Sequence, residues 1–300
     1  MEPLPQDLFE TVALRVRRTL ALMHEWGYAP TVQALAEDLL GGSVEVPLLL
    51  EATRDSTEVV VEDGFVFERG QGELATKSRR RVESHRSLNG SAWSVAERFA
   101  RDLVRTCPLV DCVAVSGSVG SGGYNERDDI DLNLFVVDGA KYLVYAIGLI
   151  LGFRAMLQHR KARGLRKLIC VNVLWTRKES HPFSRQDGSL AFELLHSRPL
   201  IGQGHFQDVM AVNPWIDSFF PQLRTRSTDA CTVSSVNVLG RIVAWIGRHP
   251  RWLRALDTSS RFATRAVYSG AHWLHRHDAT AMERLAFLQR VKYPYEVFQD

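Results

Sequence analysis

The sequence predicts a mixed α/β protein of the α+β kind, and three observations carry that expectation. Residues Val113–Val137 read VAVSGSVGSGGYNERDDIDLNLFVV, two β-branched apolar runs around a polar, glycine-rich loop. Short apolar runs bounded by glycine and charge are the pattern of buried strands. On either side, over 7–54 and again over 233–298, apolar residues recur at helical spacing instead. The third observation is a further run, Leu168–Trp175, that adds a strand to the central pair. A mixed sheet between two helical regions follows, with boundaries expected at 1–70, 71–91 as a linker and helix start, 92–200 and 201–300.

Bulk properties narrow the class. A chain of 300 residues has room for two or three domains with real cores. Its 45% hydrophobic and 24% charged residues are those of a folded globular protein rather than a disordered one. A formal net charge of +3 argues against a wholesale nucleic-acid coat, though it leaves local basic patches open. Cys107, Cys112, Cys170 and Cys231 show no Cys-x-x-Cys spacing and read as buried thiols of a reducing compartment. No basic, apolar leader opens the sequence, so a cytoplasmic location is expected. The most apolar segment, Tyr142 to Phe153, ends at Arg154 and falls short of the roughly 20 residues of a membrane span. It reads as a buried helix, and no membrane partner is expected.

Taken in order, the first helix carries Phe9, Val12, Val16, Leu20 and Met23 and stops at Gly27. Thr31 caps a second helix with Leu35, Ala36 and Leu39, and a third runs from Val46 to Thr53 with Pro47 in its first turn. Glu58–Val61 and Phe65–Glu68 then flank Glu62-Asp63-Gly64, a hairpin turn. Three helices and a hairpin make a winged-helix arrangement. Its presumed recognition helix, PLLLEATRDS, offers Arg54 beside Glu51 and Asp55, too few basic or amide side chains to read a groove. A packing or homodimerisation module, or a lid over a catalytic cleft, is preferred to DNA binding.

Lys77, Arg79, Arg80, Arg81 and Arg86 form a basic run that reads as a solvated helix face, with contact to a triphosphate as the alternative. Trp93 to Val104 continues at helical spacing and packs on the sheet. After the second strand, Asp138-Gly139 turns the chain into a helix over 141–158, and Arg160 to Lys167 form a second basic cluster. Ser189–His196 reads as a helix ended by Arg198-Pro199-Leu200, and Asn213-Pro214-Trp215 opens another short one. Trp215, Phe219 and Phe220 read as core. In the last region Trp245, Trp252 and Trp273 sit on apolar faces among Arg241, Arg248, Arg251, Arg254, Arg261 and Arg265. Such a mixture fits a bound base or RNA, and equally amphipathic helices with snorkelling arginines. His272, His275 and His277 lack the carboxylate or cysteine partner of a metal site.

The chemistry concentrates on the central stretch. Alternation along a strand puts Asp129 and Asp131 on one face with Ile130 on the other, a two-carboxylate clamp for a hard cation such as Mg2+ or Mn2+. Gly117 and Ser118 open a loop whose backbone N–H groups can cradle phosphate, and Ser121 belongs to the same loop. Ser118 has no His-Asp relay and is a phosphate ligand rather than a nucleophile. Gly-Ser, ten intervening residues, then Asp-x-Asp resembles the DNA polymerase beta superfamily of nucleotidyltransferases at Gly117, Ser118, Asp129 and Asp131.

That resemblance implies an NTP co-substrate, divalent metal held by Asp129 and Asp131, and a third acidic residue on the following strand. Here the polar residue at that place is Asn172, whose amide can ligate a metal but supplies neither charge nor a general base. Glu193 on the next helix is the candidate for the missing carboxylate, and Arg166 and Lys167 for charge stabilisation. Arg166 to Asn172 and Asn213 to Trp215, with the helices and hairpin before them, also look like a group of bacterial nucleotidyltransferase-domain proteins in which asparagine is usual at the third position. The implied function is Mg-dependent transfer of a nucleoside monophosphate to a hydroxyl or other nucleophile on a small molecule, protein or RNA. The alternative is a regulator that senses nucleotide without transferring it.

Overall fold

The computed structural model describes residues 6–159, 167–225, 235–274, 276–279 and 282. Helix α1, Gln6–Glu25, buries Val12, Val16, Leu20 and Met23 along one stripe. Gly27 ends it in the left-handed region that glycine adopts without a Cβ penalty. The Thr31 hydroxyl accepts from the Ala34 N–H and starts α2, Val32–Glu37; α3, Val46–Thr53, follows with Pro47 in its first turn. Strands β1, Val59–Glu62, and β2, Phe65–Glu68, pair antiparallel around Asp63 and Gly64, both at positive φ. A two-residue loop of that kind matches the twist of its strands.

Helix α4, Gly72–Thr106, is a single rod of 35 residues, where the sequence suggests a linker leading into a shorter helix. Straight-chain and small residues dominate its polar first half, so nothing interrupts it there. That half buries Ala75 and Ser78 near the hairpin, while Ala92, Ala96, Phe99, Ala100 and Leu103 pack on the main sheet.

The main sheet comprises β3, Val110–Val115, β4, Ile130–Val136, β5, Ile169–Thr176, and β6, Arg198–Ile201, in the order β5-β4-β3-β6. β4 and β5 are parallel, and β3 is antiparallel to both β4 and β6. A parallel pair needs a crossover, and α6, Lys141–Gln158, provides it after the four-residue α5, Gly117–Gly120. β6 corrects the expectation that Arg198-Pro199-Leu200 merely ends a helix. Pro199 is tolerated because β6 lies at the sheet edge, where its missing N–H is not needed.

Two cores sandwich the sheet. Val113, Leu132, Leu134 and Leu174 point to the side covered by α4 and α6. Phe135, Val173 and Trp175 point to the other, against α8, Gly188–His196, and α9, Gln203–Ala211. That second core runs without a break into Val16, Leu20 and Leu35 of the N-terminal helices, so these helices share the sheet's interior. Phe220 is buried there and Trp215 and Phe219 pack against it, as the sequence suggests.

Asn213 is fully buried and holds four groups. Its Oδ1 accepts from Phe183 N at 2.9 Å and Trp215 Nε1 at 3.0 Å, and its Nδ2 donates to the Ser180 and Val209 carbonyls at 2.8 Å each. The Asn-Pro-Trp segment is therefore a structural staple. Asn213→Ala leaves these buried partners unmet and is expected to cost about 3 kcal/mol of unfolding free energy, read from a urea titration.

After α7, Arg177–Ser180, and the elements above, the chain closes with α10, Val238–Gly247, and α11, Pro250–Leu274. Asp257 of α11 accepts from Tyr142 N at 2.7 Å and Leu143 N at 2.9 Å, satisfying otherwise orphan donors in the first turn of α6. Trp245, Trp252 and Trp273 remain more than half exposed. No described helix is long and apolar enough to cross a membrane.

Candidate functional site

Backbone geometry brings the glycine loop onto the carboxylates. Ser116 N donates to Asp131 O at 2.9 Å as β3 ends, and Gly117 then turns the chain with φ +56°. A Cβ on Gly117 would lie 2.2 Å from Asp131 Oδ2, so only glycine fits. A Cβ on Gly120 would lie 2.3 Å from the His196 carbonyl, which fixes the far side of the same loop against α8.

Asp131 stands in register with Cys170 on the parallel strand β5, so both project from the same face. One oxygen each from Asp129 and Asp131 and the Cys170 sulfur lie within 4.8 Å of one another. Lys167 Nζ is 3.4 Å from Asp129 Oδ2. Burial pushes the Cys170 thiol up to about 12, with Lys167 opposing and both carboxylates adding to the shift. The hard oxygen donors of the cluster are the two carboxylates. Two carboxylates converging beside a loop that permits close backbone approach fit a divalent cation that also takes phosphate oxygens.

Behind the carboxylates lies a buried amide and hydroxyl network that the sequence analysis does not anticipate. Asn133 Oδ1 accepts from Ser116 Oγ at 3.2 Å and from Asn172 Nδ2 at 3.3 Å. Asn133 Nδ2 donates to Glu193 and, at 3.0 Å, to Ser197 Oγ. Asn172 Nδ2 also reaches Glu193 Oε1 at 3.4 Å. Asn172 thus has its Nδ2 committed to this network, and the residue also lines the cleft that Asp131 lines. Glu193 sits with Asn133 and Asn172 rather than among the atoms clustered with Asp129 and Asp131.

The cleft holds about 500 Å³. Gly117, Ser118, Ser121, Asp131, Asn172 and Glu193 line it together with the Trp26–Thr31 turn and Lys77 and Arg81 of α4. Ser118 Oγ is buried with no hydrogen-bond partner among the described residues. Lys77 and Arg81 of the basic run thus line the cleft, while Arg80 and Arg86 lie exposed. Arg81 pairs with Asp128, and His85 Nδ1, one turn on, accepts from Tyr124 N at 3.3 Å. The i, i+4 spacing of Lys77, Arg81 and His85 is the signal in the sequence for a single face. His196 ties the N-terminal helices to α8, its Nε2 3.0 Å from Asp38 Oδ2 and its Nδ1 3.1 Å from Phe192 O. Arg166 lies outside the described residues, as do His275 and Cys231.

Burial also pushes the Cys107 thiol up to about 11 and the Cys112 thiol further. Thiolate is the reactive form. At pH 8 Cys107, Cys112 and Cys170 are expected to resist a disulfide reagent in the native protein and to react fully in guanidinium, as counted by released thionitrobenzoate.

Comparison of the chain with protein-family models, curated proteins and solved structures found no match.

Proposed function

We propose that the chain is a polymerase beta-like nucleotidyltransferase that moves a nucleoside monophosphate from an NTP to a hydroxyl or other nucleophile, releasing pyrophosphate. The observation that carries this reading is the contact of Gly117 with Asp131, which makes a phosphate-cradling backbone and a carboxylate pair one site. Asp129 and Asp131 would hold Mg2+ or Mn2+, which when bound neutralises developing charge on the phosphates. Ser118 Oγ lacks a partner and is free to donate to a phosphate oxygen. Lys77 and Arg81, which line the same cleft, would offset triphosphate charge. Asn172 presents its carbonyl oxygen with its amide anchored by Glu193 and Asn133. On this reading the N-terminal helices and hairpin are a winged helix used as a wall of the cleft.

A second reading, nucleotide sensing without transfer, is favoured by one observation: the residue at the third position is an amide, and the nearest buried carboxylate, Glu193, accepts hydrogen bonds from two amides. Labelled NTPs incubated with Mg2+ or Mn2+ and pools of metabolites, protein or RNA separate the two. Pyrophosphate release with a labelled acceptor supports transfer; saturable Mg-NTP binding without release supports sensing; absence of binding overturns both.

Charge in the network gives a further check. Asn172→Asp puts a second carboxylate about where Nδ2 lies 3.4 Å from Glu193 Oε1. The repulsion is on the order of a few kcal/mol, enough to keep one of the two protonated. The single variant is expected to weaken Mg-NTP affinity at pH 8 by about tenfold, and Asn172→Asp with Glu193→Gln to restore it, as measured by calorimetry.

A further inference from the structure

The C-terminal helices carry a surface that the cleft does not use. Trp245 on α10 and Trp252, Phe262, Val267 and Trp273 on α11 are each more than half exposed. At about 100° per residue, Leu253 and Thr264 mark the buried edge of α11. Trp252, Leu256 and Val267 then fall on one flank, and Arg254, Arg261 and Arg265 on the other. Between 235 and 279 the sequence has seven arginines, no lysine, no glutamate and two aspartates, Asp257 and Asp278. Asp257 is already engaged by the N–H groups of α6. Arg241, Arg248, Arg251, Arg254 and Arg265 enter no ion pair among the described residues.

We propose that α10 and α11 dock this face on an anionic lipid surface, making the protein a peripheral membrane protein. The chemistry selects the occupant. A nucleic acid would meet the arginines but leave Phe262 and Val267 in water. A second copy of the chain would cover the apolar side chains but set two arginine-rich flanks together, with seven arginines against two aspartates on each copy between 235 and 279. Anionic lipid supplies both halves: headgroup charge for guanidinium groups that reach outward, and an interfacial layer in which tryptophan is at home. Because no described helix can span a bilayer, the contact lies in the plane of the surface.

The test uses the full chain with vesicles of phosphatidylcholine alone or with one-third phosphatidylglycerol, read by co-sedimentation and light scattering. Sedimentation with the anionic vesicles only, weakened by salt, is expected. Arg251→Gln, Arg254→Gln and Arg265→Gln together are expected to weaken partitioning about a hundredfold, roughly fivefold per arginine. Trp252→Ser with Phe262→Ser is expected to abolish it while Mg-NTP affinity stays unchanged, since these side chains lie outside the cleft. Failure to sediment with anionic vesicles at low salt overturns the proposal. So does a dimer, or salt-sensitive RNA binding, that is lost in the serine variant while vesicle binding is absent. None of these outcomes bears on whether the cleft transfers nucleotides.

Discussion

Asp131→Asn is expected to lower metal-dependent NTP turnover a thousandfold or more, to within about the background of the assay. The amide has nearly the shape of the carboxylate, so the packing against Gly117 and the pairing with β5 survive and the fold is retained. What would be lost, on the proposed reading, is the negative charge that offsets a divalent cation on a face shared with Cys170. The nearest charged neighbour does not replace it, because Lys167, 3.4 Å from Asp129, brings the opposite sign. Circular dichroism matching the native protein, together with pyrophosphate release under saturating Mg2+, checks the result. Turnover within threefold of the native value would remove Asp131 from the chemistry.

Gly117→Ala is expected to damage both stability and turnover. A Cβ placed 2.2 Å from a carboxylate oxygen is about 1 Å inside van der Waals contact, so Asp131 or the loop must move. The left-handed φ of +56° adds about 1 kcal/mol for any residue with a Cβ. Together these are expected to lower unfolding free energy by about 3 kcal/mol and turnover by more than a hundredfold, since the carboxylate and the phosphate-facing backbone lose register together. Thermal unfolding and a steady-state assay on the same preparation separate the two losses.

The strands and most helices were legible because their periodicity is strong. Alternation over 129–136 put Asp129 and Asp131 on one face; the run at 169–174 read as a strand, and only the resemblance to nucleotidyltransferases implied that Asn172 lies near them. Less legible were contacts set by register and by long-range packing. Cys170 reads as one more buried thiol until β5 pairs with β4 and brings its sulfur beside Asp131. Asn133 reads as an odd polar residue in a core strand. Its role appears only when Ser116, Asn172, Glu193 and Ser197, scattered over 116–197, converge on it. β6 was hidden by Pro199, which a central strand would not tolerate and an edge strand does. The tryptophans of α10 and α11 show the reverse limit: amphipathic spacing says that a face is apolar, not that anything within the chain covers it.

The continuous rod of α4 has a mechanical consequence. Its first half supplies Lys77 and Arg81 to the lining of the cleft, and its second half packs on the sheet whose strand β4 supplies Asp131 to the same cleft. A helix is stiff over such a length, and the shared core beneath the N-terminal helices braces the same gap from behind. Moving Lys77 and Arg81 away from Asp131 therefore requires bending α4 or breaking one of the cores it packs on. A ligand that meets a site braced in this way loses little binding free energy to ordering it.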